Sequence, residues 1–379
     1  MKKLKIGILG TRGIPNHYGG FEQFAEHLSL RLLQRGHDVS VYSSSLHPYQ
    51  DNEWNDVKII HCKDWENKIG TAGQFIYDWN CINDSRKREF DILLHLGYTS
   101  DSVWHWRWPK KSINMVNMDG LEWQRSKYNK PTQRFLRWAE SLAARHADSL
   151  IADSPAIRDH LIANYNKIPV YIPYGAEMFM NPDPSVIEKY GLLPQHYFML
   201  LARMEPENNI EMIIRGHLAS NSLFPLLVIG NIDNQFGRYI TSKYNDPRIK
   251  YCGAIYDKNE LDNLRYYTAL YFHGHSVGGT NPSLIEAMAC GCLVAAHDNR
   301  FNKAVLNGEA GYFSTDEDVK SFIEHHLSLT SLNHWKKTNM EKVRTVYNQD
   351  RIVDSYEKMM LNACGQEQAI VPLAVAEAV

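Results

Sequence analysis

The stretch LKIGILGTRGIPNHYGGFEQFAEHLSLRLLQRGHDVSVYS, residues 4–43, decides the fold. Residues 4–10 form an apolar run of strand length that ends in glycine. In the loop that follows, Gly10, Gly13, Gly19 and Gly20 permit tight turns and close backbone approach. Phe21, Phe24, Ala25, Leu28 and Leu32 then recur at the spacing of one helix face. Gly36 is placed to end that helix as its C′ residue, and HDVSVYS is the next strand. A strand, a crossover helix and a second strand make a βαβ unit, which lays its strands parallel.

The alternation continues outward from this unit. The pattern predicts strands at 57–61, 91–96, 112–117, 149–152 and 169–172, with helices at 71–89, 132–146 and 155–164. IPYGAEMFMNPDP (172–184) interrupts it with three prolines and a glycine, and serves as a linker. A second series follows, with strands at 197–202, 225–230, 248–252, 269–272 and 292–296. Its helices fall at 209–220, 234–244, 258–265 and 282–290, and two more, near 317–330 and 332–360, close the pattern. The fold class is α/β, with helices on both faces of parallel sheets. The chain of 379 residues exceeds one ordinary core, which also argues for two domains.

Composition narrows the function. With 44% apolar and 22% charged residues and a net charge of −2, the chain lacks the basic field of a nucleic-acid binder. No apolar run approaches the roughly 20 residues of a membrane span, and the apolar run near the N-terminus is too short for a secretion signal. The cysteines, at 62, 81, 252, 290, 292 and 364, form no CxxC pair, so a cytoplasmic protein with reduced thiols is expected.

The loops carry the candidate chemistry. HSVGGTNPSLIEAMACGCLVAA (275–296) places Gly278, Gly279, Thr280 and Asn281 before a helix that Pro282 opens. Backbone N–H groups and the helix dipole there favour an anion such as a diphosphate, and Glu286, a turn further in, can accept from ribose hydroxyls. The plainer alternative is a glycine-rich turn and a surface glutamate. The first loop spaces its glycines GxxG, and the second strand ends Tyr42-Ser43 with no acid at its tip, which disfavours a nicotinamide dehydrogenase. No Gly-Lys-Ser/Thr follows, so it is not a P-loop either.

NMDGLEW (117–123) sets Asp119 and Glu122 after a strand, and LLARMEPENNIEM (200–212) sets Arg203 there. A strand-end arginine can clamp a phosphate through two donors; an ion pair with Glu205 is the alternative. HGH (273–275) offers too few ligands for a metal, and DED (316–318) suits a helix start. VWHWRWPKK (103–111) interleaves tryptophans with basic residues, as a membrane interface does, although tryptophans at period two also pack under a sheet.

Together these motifs, from residue 4 to about 360, resemble the family 4 glycosyltransferases, retaining enzymes of the GT-B fold. GTRGIPNHYGGFE, NMDGLEW, ARMEPENNIEM and HGHSVGGTNPSLIEAM are similar to the rhamnosyltransferase-type subgroup of bacterial capsule and exopolysaccharide assembly. The resemblance implies two Rossmann-like domains facing each other across a cleft, an acceptor domain at 1–172 and a nucleotide-sugar domain at 173–345. It further implies a helix at 346–364 returning to the first domain, and 365–379 is expected to be a flexible tail.

The implied reaction moves a sugar, L-rhamnose from dTDP-L-rhamnose, to a sugar on a polyprenyl diphosphate, without a cofactor or metal. Asp119 and Arg203 are the implied catalytic residues. Gly278, Gly279, Thr280, Asn281, Glu286 and Asn208 are implied donor contacts, and Arg12, Gly13, His17, Tyr18, Gly19, Gly20 and Glu22 form the acceptor or phosphate loop. Two positions depart from the family. The first glutamate of its EX7E pattern falls on Gly278, and the basic residue usual after the arginine is absent from Glu207-Asn208-Asn209.

A lipid-linked acceptor implies peripheral attachment to the inner face of the plasma membrane. Trp104, Trp106 and Trp108, with Arg107, Lys110, Lys111 and Arg86-Lys87-Arg88, are the anchors expected on an anionic surface. Two rival readings are a GT-B nucleotide-sugar epimerase, for which no acid/base pair stands out, and a catalytically weak nucleotide-sugar-binding subunit.

Overall fold

A computed structural model describes residues 3–326 and 332–366. The chain divides into two compact units. Unit 1 holds the chain up to Trp123, Lys130–Pro173 and the helix from Asp350 onward; unit 2 holds Gln124–Asn129 and Tyr174–Gln349.

The strands of unit 1 are β1 (Lys5–Leu9), β2 (Asp38–Ser44), β3 (Glu53–Trp54), β4 (Val57–Cys62), β5 (Ile92–Leu96), β6 (Ile113–Asn117), β7 (Ser149–Ala152) and β8 (Val170–Tyr171). They form one sheet in the order β3-β4-β2-β1-β5-β6-β7-β8. All pairings are parallel except β3 with β4, a short antiparallel edge that the sequence pattern did not signal. Unit 2 carries β9 (Phe198–Leu201), β10 (Leu226–Ile229), β11 (Ile249–Gly253), β12 (Leu270–His273), β13 (Val294–His297) and β14 (Gly311–Phe313). Their order is β11-β10-β9-β12-β13-β14, all parallel.

The helices are α1 (Gly20–Gln34), α2 (Glu66–Ile69), α3 (Ala72–Ser85), α4 (Lys130–His146), α5 (Pro155–Tyr165), α6 (Ser185–Glu188) and α7 (Ile210–Ala219). They continue as α8 (Gln235–Lys243), α9 (Lys258–Tyr266), α10 (Pro282–Ala289), α11 (Arg300–Leu306), α12 (Asp316–Glu324), α13 (Asn333–Thr345) and α14 (Gln349–Ala363).

The period-two alternation of β9 explains why unit 2 has two apolar layers. Phe198 and Leu200 pack with Ile213, Ile214 and Phe272 on one face. Tyr197 and Met199 pack with Leu284, Ile285 and Met288 of α10 on the other. Both faces are covered, as a parallel sheet requires. In each unit the central strand has neighbours that leave in opposite directions, β2 and β5 beside β1, β10 and β12 beside β9. Such a switch point opens a crevice at the carboxyl ends of the strands, where doubly wound sheets bind ligands. The sequence therefore places the loops after β1, β5, β9 and β12 at the candidate sites.

The closing helical region, expected as one helix over 332–360, is two. Residues 346–348 leave the helix because the backbone pairs elsewhere: Ala176 N donates to Tyr347 O at 2.9 Å, and Ala176 bridges Asn348. Helix α14 then packs on unit 1. Arg35 pairs with Asp354 and Glu357, both at 2.6 Å, and His37 Nε2 meets Glu357 Oε1 at 2.9 Å. The Tyr356 ring packs tilted against Phe24, centroids 5.1 Å apart, and its hydroxyl accepts from Asn117 Nδ2 at 3.2 Å. The tail expected at 365–379 is described only to residue 366, and the rest lies outside the described residues.

Burial raises the Glu357 pKa, but hydrogen bonds from His37 and Arg35 outweigh it and hold it below the usual carboxylate range. A depressed folded-state pKa contributes stability that is present above the unfolded value, about 4.3, and lost as pH falls through the folded one. Glu357→Gln is therefore expected to cost about 1.5–3 kcal/mol at pH 7. The gap between variant and parent should close on acidification; equal urea midpoints at pH 7 would contradict this.

The tryptophan-rich segment corrects an expectation. Ser102–Arg107 is a 3₁₀ helix. Trp108 is buried and donates to Asp101 Oδ1 at 2.9 Å, and Trp104 donates to Phe75 O at 2.9 Å. Only Trp106 of the three is exposed, at 59%. Indole N–H groups that have found partners inside the fold hold their rings there.

Candidate functional site

In unit 2 the loops after β9 and β12 are stitched together by backbone. Asn209 Nδ2 donates to Gly274 O at 2.8 Å. Ser276 donates to Glu207 O from its N at 3.1 Å and from its Oγ at 2.7 Å. A Cβ on Gly274 would lie 2.0 Å from Asn208 O, so glycine is what lets the two loops touch. Asn208, predicted as a donor contact, is buried and spends its amide on Arg203 O at 2.8 Å. Its role here is to shape the loop that presents Arg203.

Arg203 itself is exposed and makes no ion pair among the described residues. The alternative pairing with Glu205 is not formed, because Glu205 accepts from Lys127 at 3.2 Å. A strand-end guanidinium at the switch point, without a carboxylate partner, is available to an anionic ligand.

Helix α10 begins as its sequence dictates. Asn281 is the N-cap, accepting from Ser283 N at 3.1 Å and from Ser283 Oγ at 2.8 Å, and Pro282 occupies the first turn. The predicted donor contact at Asn281 is thus engaged in capping. Thr280 is buried, and Gly278 has a φ of 147° with open space where a side chain would stand. Glu286 is held from behind by Arg265 of α9, a pairing absent from the sequence expectations. Arg265 is fully buried and also donates to Asp262 Oδ1 at 2.9 Å. Burial alone would lower the Arg265 pKa; Glu286, first among its neighbours, raises it overall.

Two histidines line the end of β12. His273 is buried, and neither ring nitrogen has a hydrogen-bond partner among the described residues. His275 stacks on it at 4.5 Å. Burial lowers the His273 pKa to about 3. It also pushes His275 well below its ordinary value, with His273, Arg203 and Arg125 adding to the effect. Both rings are neutral at pH 7.

Residues 124–129 add charge that no sequence motif marks. They belong to unit 2, where Arg125 Nη1 lies 3.3 Å from Glu207 Oε1 and Lys127 Nζ lies 3.8 Å from the same oxygen. No linear signal marks these residues, since QRSKYN reads as an ordinary polar connection.

In unit 1 the loop after β1 is built around Glu22. Its buried carboxylate accepts from Arg12 N at 2.8 Å and from Thr11 Oγ1 at 3.2 Å. Gly10, at φ +82°, passes so close to β5 that a Cβ would sit 2.2 Å from Leu96 O. Arg12 makes a two-pronged ion pair with Glu66 at 2.7 and 3.0 Å and lies 3.7 Å above the Tyr18 ring. The structure therefore gives Glu22 partners in the loop and Arg12 a partner on α2, while His17, Tyr18 and Gly20 are exposed, Gly19 is half-buried and Gly13 is buried. Asp119 is partly exposed in the turn after β6, near the buried Tyr98, whose hydroxyl donates to Gly120 O at 3.2 Å. Unit 1 thus groups the loop residues and unit 2 groups Arg203, Asn208, the glycine-rich loop and Glu286.

Comparison with known proteins agrees with this geometry. Residues 3–177 match a family model described as a domain of unknown function, DUF1972. The chain is 22% identical over 397 residues to an uncharacterized glycosyltransferase of Methanocaldococcus jannaschii, covering 95% of this chain and 98% of that one. It is 23% identical over 159 residues to the O-antigen chain mannosyltransferase B of Escherichia coli, covering 40% and 41% of the two. Among solved structures, sucrose-phosphate synthase from Thermosynechococcus elongatus superposes with a TM-score of 0.78 at 16% identity, over 96% of this chain and all of that one. Anabaena HepE in complex with UDP and glucose gives 0.75 at 14%, over 95% of this chain and all of that one. The architecture is the GT-B fold, and the relatives' names support a glycosyltransferase activity.

Proposed function

We propose that this chain is a retaining, metal-independent hexosyltransferase that binds a nucleotide sugar on unit 2 and glycosylates a saccharide on a polyprenyl diphosphate. Rhamnosyl transfer from dTDP-L-rhamnose in surface-polysaccharide synthesis is the specific reading. The observation that carries it is Arg203, an unpaired guanidinium at the β9/β12 switch point beside the loop that opens α10. In the proposed step the acceptor oxygen bonds to the anomeric carbon as the bond to the diphosphate breaks. The electron pair leaves with the diphosphate, which also takes the acceptor proton. Arg203 and the amides before α10 stabilise that growing charge, while Glu286 holds the ribose and Asp119 orients the acceptor.

The test is a thermal-shift screen over nucleotide sugars, followed by product analysis with a lipid-linked saccharide. A ligand at about 100 times its dissociation constant raises stability by about 2.7 kcal/mol. A shift with dTDP-L-rhamnose is expected, and a product that keeps the anomeric configuration of the donor. Release of an altered free sugar would instead identify an epimerase, and binding without turnover a nucleotide-sugar-binding subunit.

Attachment to an anionic surface belongs to the same proposal, with its anchors revised by the structure. Helix α4 exposes Arg134, Arg137, Trp138 and Arg145 and buries its one acid, Glu140. With Trp106, Lys110 and Lys111 these residues give unit 1 aromatic and basic exposed groups. Each basic residue near an anionic surface contributes roughly 1 kcal/mol, screened by salt. Lys110→Glu/Lys111→Glu is expected to weaken binding to phosphatidylserine vesicles at least tenfold (on the order of 1–2 kcal/mol) and to leave activity on a soluble acceptor intact. Salt-insensitive vesicle binding would contradict it.

A further inference from the structure

We infer that Arg125 is a second cation of the diphosphate site in unit 2, tethered there by the buried carboxylate of Glu207. The inference rests on the glycosyltransferase reading and adds a ligand contact to it.

Three observations converge. First, Arg125 and Arg203 lie on different segments of unit 2, yet both act on the same ring, His275, at the start of the glycine-rich loop. Second, Glu207 is an expensive residue to place there. Its side chain is 1% exposed, and an unpaired carboxylate in that setting would be strongly disfavoured. Its backbone oxygen receives both Ser276 hydrogen bonds, so the residue is fixed to the loop after β12. Third, its Oε1 faces Arg125 and Lys127, while its Oε2 has no hydrogen-bond partner among the described residues.

The ion pairs engage Oε1 alone. An arrangement that fixes one oxygen on Arg125 and leaves the other without a donor fits a ligand that supplies one, such as a sugar hydroxyl. The guanidinium fork carries five donors in one plane, so it can serve a carboxylate and a phosphate together. Lysine at 127 is shared between Glu205 and Glu207 and offers no such plane. The local count is also favourable. Arg125, Lys127 and Arg203 against Glu205 and Glu207 leave one net positive charge before the N-terminus of α10 is considered.

The experiment is titration calorimetry of the full chain with UDP and dTDP, and with UMP and dTMP as controls. For whichever diphosphate the parent binds, Arg125→Ala should weaken binding on the order of 10–100-fold and Arg125→Lys should restore only part. Binding of the matching monophosphate should change less than threefold. Because Arg125→Ala leaves the buried Glu207 with only the more distant Lys127, the double variant Arg125→Ala/Glu207→Gln is measured beside it, with circular dichroism as the check on folding. The double variant should show the same loss for the diphosphate. Binding of either variant within twofold of the parent, while Arg203→Ala weakens it, overturns the role of Arg125 and leaves the transferase reading standing. A parent that binds neither diphosphate removes both.

Discussion

Arg203→Ala is expected to lower turnover by about 10²–10³ and to affect donor binding far less. The reason is where the charge appears. In the proposed complex the diphosphate of the bound nucleotide sugar already carries negative charge, which the amides before α10 and the other cations would neutralise. As the glycosidic bond breaks, further charge builds on the departing oxygen, and an exposed guanidinium that makes no ion pair among the described residues is free to follow it. Removing one preorganised donor to a developing anion costs about 2.7–4 kcal/mol in well-studied enzymes. Lysine keeps the charge but loses the planar fork, so Arg203→Lys should recover only part of the rate. Steady-state kinetics decide the matter. A raised Michaelis constant with unchanged kcat would mean that Arg203 binds ground state and transition state alike.

Arg265→Met should have the largest effect on stability. Arg265 is fully enclosed, bridges Asp262 and Glu286, and closes the space between α9 and α10. Methionine fills much of the same volume but takes the guanidinium away from both carboxylates, of which the buried Asp262 keeps Lys258. Removing one partner of a buried ion-pair network costs about 3–5 kcal/mol. The urea transition of unit 2 should move to lower denaturant, and nucleotide-sugar affinity should fall with it because Glu286 loses the group that aims it. Combining Arg265→Met with Glu286→Gln should weaken donor binding by less than the sum of the two single changes, as expected for residues acting through one contact. An unshifted midpoint, or strictly additive losses in affinity, would show that the two residues act independently.

How much of this was visible in the sequence depends on whether the signal was local. The strand runs at 4–10 and 197–202 and the helix after Phe21 declare themselves because burial on both faces or on one face imposes a period. Helix α12 was equally legible: Thr315 and Asp318 form a capping box, and the DED triplet fills the first turn. Arg203 could be found because it follows a strand. Arg265 could not, since KNELDNLRY has the polar look of an exposed helix and only its partner 21 residues later reveals why it is inside. Arg125 and Lys127 were hidden for the same reason. Their partners, Glu207 and Glu205, lie 82 and 78 residues away, and no pattern within a window of 20 connects them. The tryptophans at 104 and 108 misled because composition cannot tell an indole facing lipid from one whose N–H has a buried acceptor. The two-residue strand β3 and the seven-residue helix α11 fell below the length at which a period can be recognised.

The return of α14 to unit 1 has a consequence for the order in which the protein is made. Tyr356 and Glu357 complete a surface whose other half, Phe24, Arg35 and His37, leaves the ribosome more than 300 residues earlier. Unit 2 is synthesised in between. At about 5–20 residues per second, the 176 residues from Tyr174 to Gln349 take roughly 9–35 s. Throughout that interval the nascent first unit shows an apolar and cationic face with nothing to cover it. Unit 2, whose residues are contiguous apart from one short segment, can finish first although it begins later. A message cut short after the second sheet would therefore yield a chain whose later half is folded and whose earlier half is not, and which is open to proteolysis at the α1 face.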